Sequence, residues 1–270
     1  MSEGAPKKSS AKRRIPSRSR AKTLSNIETH GPALLSFLTT LEASSAEPIT
    51  FPAAPADECP LMHNIIMSML MYDSDAKRAS KAHDKLREHT VNYNDLRVCS
   101  PIEISFILGE RYPRSAERSD RLIDVLNEIY DREDQCRLDT IIRTGKREAA
   151  TYLASIPGMN QFVLARALNT IGHAAFPLDD RLRMMLVDAG AIEKRLKLTQ
   201  ACDFIESVVP ANQLTRASQH VLAWAETQTF PRLPTSDYTR AMARKSCRPE
   251  SKLNLPDTDG FEIDPATLED

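Results

Sequence analysis

Glycine is scarce, with eight among 270 residues, and none stands in a G-x-G-x-x-G or G-x-x-x-x-G-K-[S/T] pattern. That removes the glycine-rich loops with which nucleotide-binding folds cradle phosphates. No apolar run approaches the roughly 20 residues that a membrane span needs, so no membrane association is expected. The N-terminus is polar and basic and lacks the apolar stretch of a secretory signal. The five cysteines, at positions 59, 99, 136, 202 and 247, are odd in number and widely separated, without a C-x-x-C. They form no disulfide framework, which points to a reduced, cytoplasmic setting. The six histidines show no metal-ligand spacing. No segment alternates convincingly at period two, and no internal repeat is visible. What remains is an all-α chain, with 41% hydrophobic residues to build a core.

Charge is unevenly spread. Residues 1–22 carry eight Lys/Arg against Glu3 alone, and the remainder is left with a net charge of −8. The basic segment, to about residue 24, is expected to lack fixed structure. It is either an arm that neutralises phosphates or a plain solvated tail. Helical periodicity marks 32–43 (Leu34, Leu35, Phe37, Leu38, Leu41) and 61–71 (Leu61, Met62, Ile65, Ile66, Met69, Leu70). It also marks 116–131 (Leu122, Ile123, Val125, Leu126, Ile129) and 200–209, 216–228 and 236–246. Ser100-Pro101-Ile102-Glu103 reads as a helix start with a capping box and proline in the first turn. A proline-rich loop covers 44–60. Residues 251–270 form an acidic tail with few apolar residues.

The most informative stretch is 149–186, AATYLASIPGMNQFVLARALNTIGHAAFPLDDRLRMML. It reads as helix, tight turn, helix, short loop, and a carboxylate at the mouth of a third helix. Pro157 discourages Ile156 from continuing the first helix, and Gly158 permits the positive φ of a tight turn. Such a turn points backbone N–H groups at the start of the next helix outward, a seat for an anion. Asp179 stands at an N-cap position, where accepting N–H bonds would keep it ionised near neutral pH.

Ile156-Pro157-Gly158-Met159-Asn160, the Ala-rich helix behind it and Leu178-Asp179 resemble the hairpin and Val-Asp pair of the helix-hairpin-helix DNA glycosylase superfamily, the endonuclease III type. The resemblance runs collinearly over about residues 60–247. It implies a two-lobed helical domain over 25–250, with a central lobe at about 75–195. A second lobe would come from 25–74 and 196–250, and a cleft would lie between the two. It also implies a double-stranded DNA partner, a monomer, and a nucleoid location in a bacterial cell. The implied activity is cleavage of the bond between a damaged or mispaired base and its sugar. Asp179 matches the catalytic carboxylate, which would stabilise positive charge on the sugar and orient water; a structural N-cap is the other reading. Gly158, Met159, Asn160 and Phe162 fall on the DNA-facing hairpin. Tyr72 falls where the family inserts a side chain into the duplex, or is an aromatic packed at a helix end. Arg111, Tyr112 and Arg114, in the loop 109–115, would approach the undamaged strand, or belong to an ordinary polar loop.

Three positions depart from the family pattern. The lysine that forms a Schiff base in bifunctional members is Phe162 here, which favours a monofunctional enzyme. Phe162 either lines the base pocket or packs in the core. Of the four cysteines spaced C-x6-C-x2-C-x5-C for an iron–sulfur cluster, Cys247 stands alone, so no cofactor is expected. The second hairpin glycine is Asn160, a residue that tolerates left-handed backbone better than most. Lys146 is a possible substitute amine, and Arg166, Arg181, Arg183 and His173 are possible phosphate neighbours or solvated side chains. Two other readings stand beside the glycosylase: a DNA-binding relative without catalysis, and a helical protein-interaction module.

Overall fold

The computed structural model describes residues 18–44 (side chains from 28), 53–56, 58–109 and 111–228. The tail before residue 18, the helix expected at 236–246, Cys247 and the acidic tail lie outside these residues.

Eleven α-helices and no strand make up the described residues: α1 Arg18–Ala43, α2 Pro60–Met71, α3 Ala76–His89, α4 Tyr93–Val98, α5 Pro101–Leu108, α6 Ser115–Glu133, α7 Lys146–Ala154, α8 Gln161–Thr170, α9 Asp180–Asp188, α10 Leu198–Val208 and α11 Ala211–Thr227. The all-α expectation holds. The first helix corrects the sequence reading, because it begins at Arg18 rather than near residue 32, so 18–24 is not a structureless tail. Its buried positions, Gly31, Leu34, Leu38 and Leu41, keep a helical period through Pro32, whose side is exposed.

Helix α2 is central. Ten of its twelve residues are buried, and it packs on α3, α6 and α8. A helix apolar on every side belongs inside a core. Residues 60–71 therefore pack with the central helices, not with the flanking segments to which the sequence reading gave them. The flanking helix α1 packs on α10 and on α11, and α9 packs against both. The Ser100 capping box forms as expected: its hydroxyl accepts from Glu103 N, and the Glu103 carboxylate accepts from Ser100 N. No helix among the described residues is long and apolar enough to cross a membrane.

Candidate nucleic-acid interface and carboxylate site

The hairpin joins α7 to α8. Gly158 takes φ +80°, and a Cβ there would lie 2.8 Å from the carbonyl oxygen of Arg121 in α6. Glycine is needed twice at this position, once for the left-handed backbone and once for the close approach. Asn160 corrects the expectation of a left-handed residue. Its φ is −98°, and it caps α8, with its side-chain oxygen accepting from Val163 N at 2.9 Å. The second glycine of the motif is thus replaced by an N-cap, a role for which Asn is among the best residues. Pro157 is exposed, and Gly158, Met159 and Asn160 are half-buried along this edge.

Asp179 caps α9. One carboxylate oxygen accepts from Leu182 N at 2.7 Å and the other from Asp73 N at 2.9 Å. The residue is 0% exposed. Burial pushes its carboxyl up, against the Arg181 charge and the two backbone N–H groups. This reverses the sequence expectation: the N–H bonds are present, but loss of water outweighs them. Arg181, also buried, has its guanidinium 4.0 Å from the Glu226 carboxylate, which in turn accepts from Ala76 N.

Asp179 is covered by the turn Tyr72–Asp75 between α2 and α3. Asp73 is 3% exposed, has φ +51°, and pairs with Arg114 at 3.0 Å. Burial and the Asp179 charge raise the Asp73 carboxyl to about 7, against the pull of Arg114. Arg118, buried in α6, donates to the carbonyls of Met69, Tyr72 and Pro113 and holds this turn to α6. Asp75 caps α3 through Arg78 N. Sequence reading missed Asp73 and Arg118, and gave Arg114 as a candidate of the loop 109–115 without its ion pair to Asp73. Their partners lie about 40 to 100 residues away, and no local pattern announces them.

The remaining candidates separate clearly. The Tyr72 ring is half-buried, 6.0 Å from the Phe162 ring, with the guanidinium groups of Arg114 and Arg121 at 5.5 and 5.9 Å. Tyr72, Arg114, Glu117, Arg121 and Asn160 line a pocket beside the hairpin, about 250 Å³ of space continuous with solvent. Asp179 does not line it. Phe162 is 1% exposed and supports Tyr72 from within, so it is a core residue and not a DNA-facing one. The Tyr112 hydroxyl donates to the Leu70 carbonyl at 2.7 Å, and its ring lies under Arg118. It anchors the loop and is not free to stack on bases. Arg111 in the same loop is exposed. Arg166 turns inward and donates to Ser68 at 2.9 Å. Lys146 donates to the Ala174 carbonyl, and His173 to that of Thr144.

No model of a known protein family matches the chain, and no curated protein matches it in sequence. Solved structures do match. A non-covalent endonuclease III–DNA complex aligns with TM-score 0.58 at 8% identity, over 79% of this chain and 98% of that one. A trapped endonuclease III–DNA covalent intermediate gives 0.57 at 9%, over 76% and 90%. A thermostable thymine-DNA glycosylase gives 0.52 at 17%, over 77% and 91%. The fold is that of the endonuclease III-type DNA glycosylases. Among the described residues no group of three or more Cys, His, Asp or Glu side chains stands together as metal ligands.

Proposed function

We propose that the protein is a monofunctional DNA glycosylase of base excision repair, which grips double-stranded DNA along the hairpin edge and uses Asp179 at the sugar. The observation that carries this reading is the expense of the Asp179 site. A cap that only stabilised a helix would need one N–H bond at the surface. Asp179 is instead a carboxylate held wholly out of water, beside a second buried carboxyl, in the glycosylase fold. Strongly perturbed buried carboxyls of this kind concentrate where chemistry is done. Ionised, Asp179 would stabilise the positive charge that develops on the sugar as the base leaves, and would orient the attacking water.

Phe162 stands where a Schiff-base lysine would be, and Lys146 is engaged at Ala174. Both observations favour hydrolysis over lyase chemistry. No iron–sulfur cluster is required in this reading. Tyr72, carried on the rigid end of α2 and backed by Phe162, is the side chain best placed to fill the space of an extruded nucleotide. Arg111, exposed, would meet the opposite strand.

The pocket beside the hairpin, which Asp179 does not line, favours a second reading, a DNA-binding protein of the same fold without catalysis. A panel of duplexes carrying uracil, alkylated purines, oxidised bases or mismatches distinguishes the two. The glycosylase releases a free base from at least one duplex and leaves an intact abasic strand, and borohydride traps no protein–DNA adduct. Binding of every duplex without release of any base establishes the second reading.

A further inference from the structure

We propose that Asp73 and Arg114 form a latch that closes the Asp179 site in the free protein and opens when a DNA phosphate takes Arg114. This rests on the reading of Asp179 as the reacting carboxylate. Asp73 and Arg114 are two of the three non-glycine residues with left-handed backbone among the described residues, at φ +51° and +54°. They are on different elements, yet they pair with each other at 3.0 Å. The Asp73 N–H is the group that covers the second oxygen of Asp179. The backbone that hides Asp179 is therefore in an unfavourable conformation, and the ion pair helps to hold it there.

The two ends of the pair differ in exposure. The Asp73 side chain is 1% exposed and the Arg114 side chain 18%, and Arg114 lines the open pocket next to Asn160 of the hairpin. A phosphate arriving along the hairpin meets Arg114 first, and a guanidinium matches phosphate geometry as well as it matches a carboxylate. Withdrawal of Arg114 leaves Asp73 and Asp179 as neighbouring buried carboxyls without that counter-charge. The Asp73 carboxylate is then buried without its guanidinium, and regaining water favours moving the turn outward. Arg118 holds the Tyr72 carbonyl throughout, so the motion is confined to the residues that follow Tyr72. Opening admits water, which lets Asp179 ionise. Contact with DNA and activation of the carboxylate become one event. In this scheme Asp73 and Arg114 are positioning residues. The Asp73 carboxyl, raised to about 7 by burial and by Asp179, has Arg114 as the counter-charge that opposes the shift.

The test is carbodiimide labelling of carboxyl groups on the full chain, read by mass spectrometry at Asp179. Wild type should resist labelling, and Arg114→Gln should react about tenfold faster or more as the closed state loses population. The double variant Asp73→Asn/Arg114→Gln should return to protection, because the buried unpaired carboxylate is gone. Arg114→Gln as protected as wild type, or a double variant as reactive as Arg114→Gln, overturns the latch. If Arg114→Gln does not fold, wild type decides: saturating lesion-free duplex should speed amide exchange over residues 72–75, and unchanged or slowed exchange overturns the proposal. Failure of the glycosylase reading looks different. The labelling pattern would appear as described, with no base released by wild type from any duplex.

Discussion

Two helix–turn–helix junctions in this molecule share a plan and differ in how they are made. Each has one residue with positive φ, followed two residues later by a side-chain N-cap. In the hairpin these are Gly158 at +80° and Asn160; in the α2–α3 turn they are Asp73 at +51° and Asp75. The hairpin uses glycine, which adopts that backbone without penalty, and it lies at the molecular edge. The α2–α3 turn uses an aspartate, and it lies inside, tied to Asp179, Arg114 and Arg118. One turn is specified by its own residues, the other by distant partners. A turn of the first kind suits a fixed grip on a ligand. A turn of the second kind changes state when a partner is taken away.

The support shared by the two junctions should show the largest effect. Phe162→Ala removes the ring beneath Tyr72 and leaves a cavity, and it is expected to cost about 3–5 kcal/mol in denaturant unfolding. Gly158→Ala combines left-handed strain with a backbone clash against Arg121, and should cost about 2–4 kcal/mol. Asp73→Gly, the matching change in the other turn, loses an ion pair but also relieves strain and a carboxylate neighbour. It should stay within about 1 kcal/mol of wild type. Equal losses in the two glycine-position variants would erase the contrast between the junctions.

A pH series sharpens it further. The folded chain keeps the Asp73 proton up to about pH 7, whereas the unfolded chain releases it near 3.8. The contribution to stability is full below the lower value and is lost as pH rises through that window. Asp179 shifts in the same direction. His83, lowered by burial to about 4 from 6.5, acts in the opposite sense between those values. Comparing wild type with Asp73→Asn at each pH cancels the histidine. The variant should gain on wild type from acid to neutral pH by on the order of 2 kcal/mol, and a constant difference would contradict the coupling. The smallest effects are the caps. Asn160→Ala and Asp75→Ala should each cost about 1 kcal/mol, and Asn160→Ala alone should weaken duplex binding.

The same contrast explains what could be read from the residues alone. Pro157-Gly158, the Ser100 capping box and the Asp179 cap are local signals, and each appears where its chemistry puts it. Helix α4 escaped notice because six residues are too few to show a period, although Asn92 caps it with bonds to Asn94 N and Asp95 N. The sequence leaves Phe162 between pocket and core, and Tyr112 between duplex and loop, because composition does not say which aromatic finds an interior partner. The ionisation of Asp179 was misjudged for the same reason: its N–H bonds are local, while its burial comes from a turn about a hundred residues earlier. Asp73 and Arg118 carry no local signature, and Arg114, legible only as one candidate of its loop, shows its ion pair when α2, α6 and α9 are brought together.

The central claim is that Asp179 does chemistry and is not merely a cap. Single-turnover base release by wild type and Asp179→Asn, on whichever lesion duplex wild type processes, tests it most directly. Asparagine can still cap the helix, so folding and duplex affinity should persist while release slows by about a hundredfold or more. Equal rates in the two proteins would contradict the account.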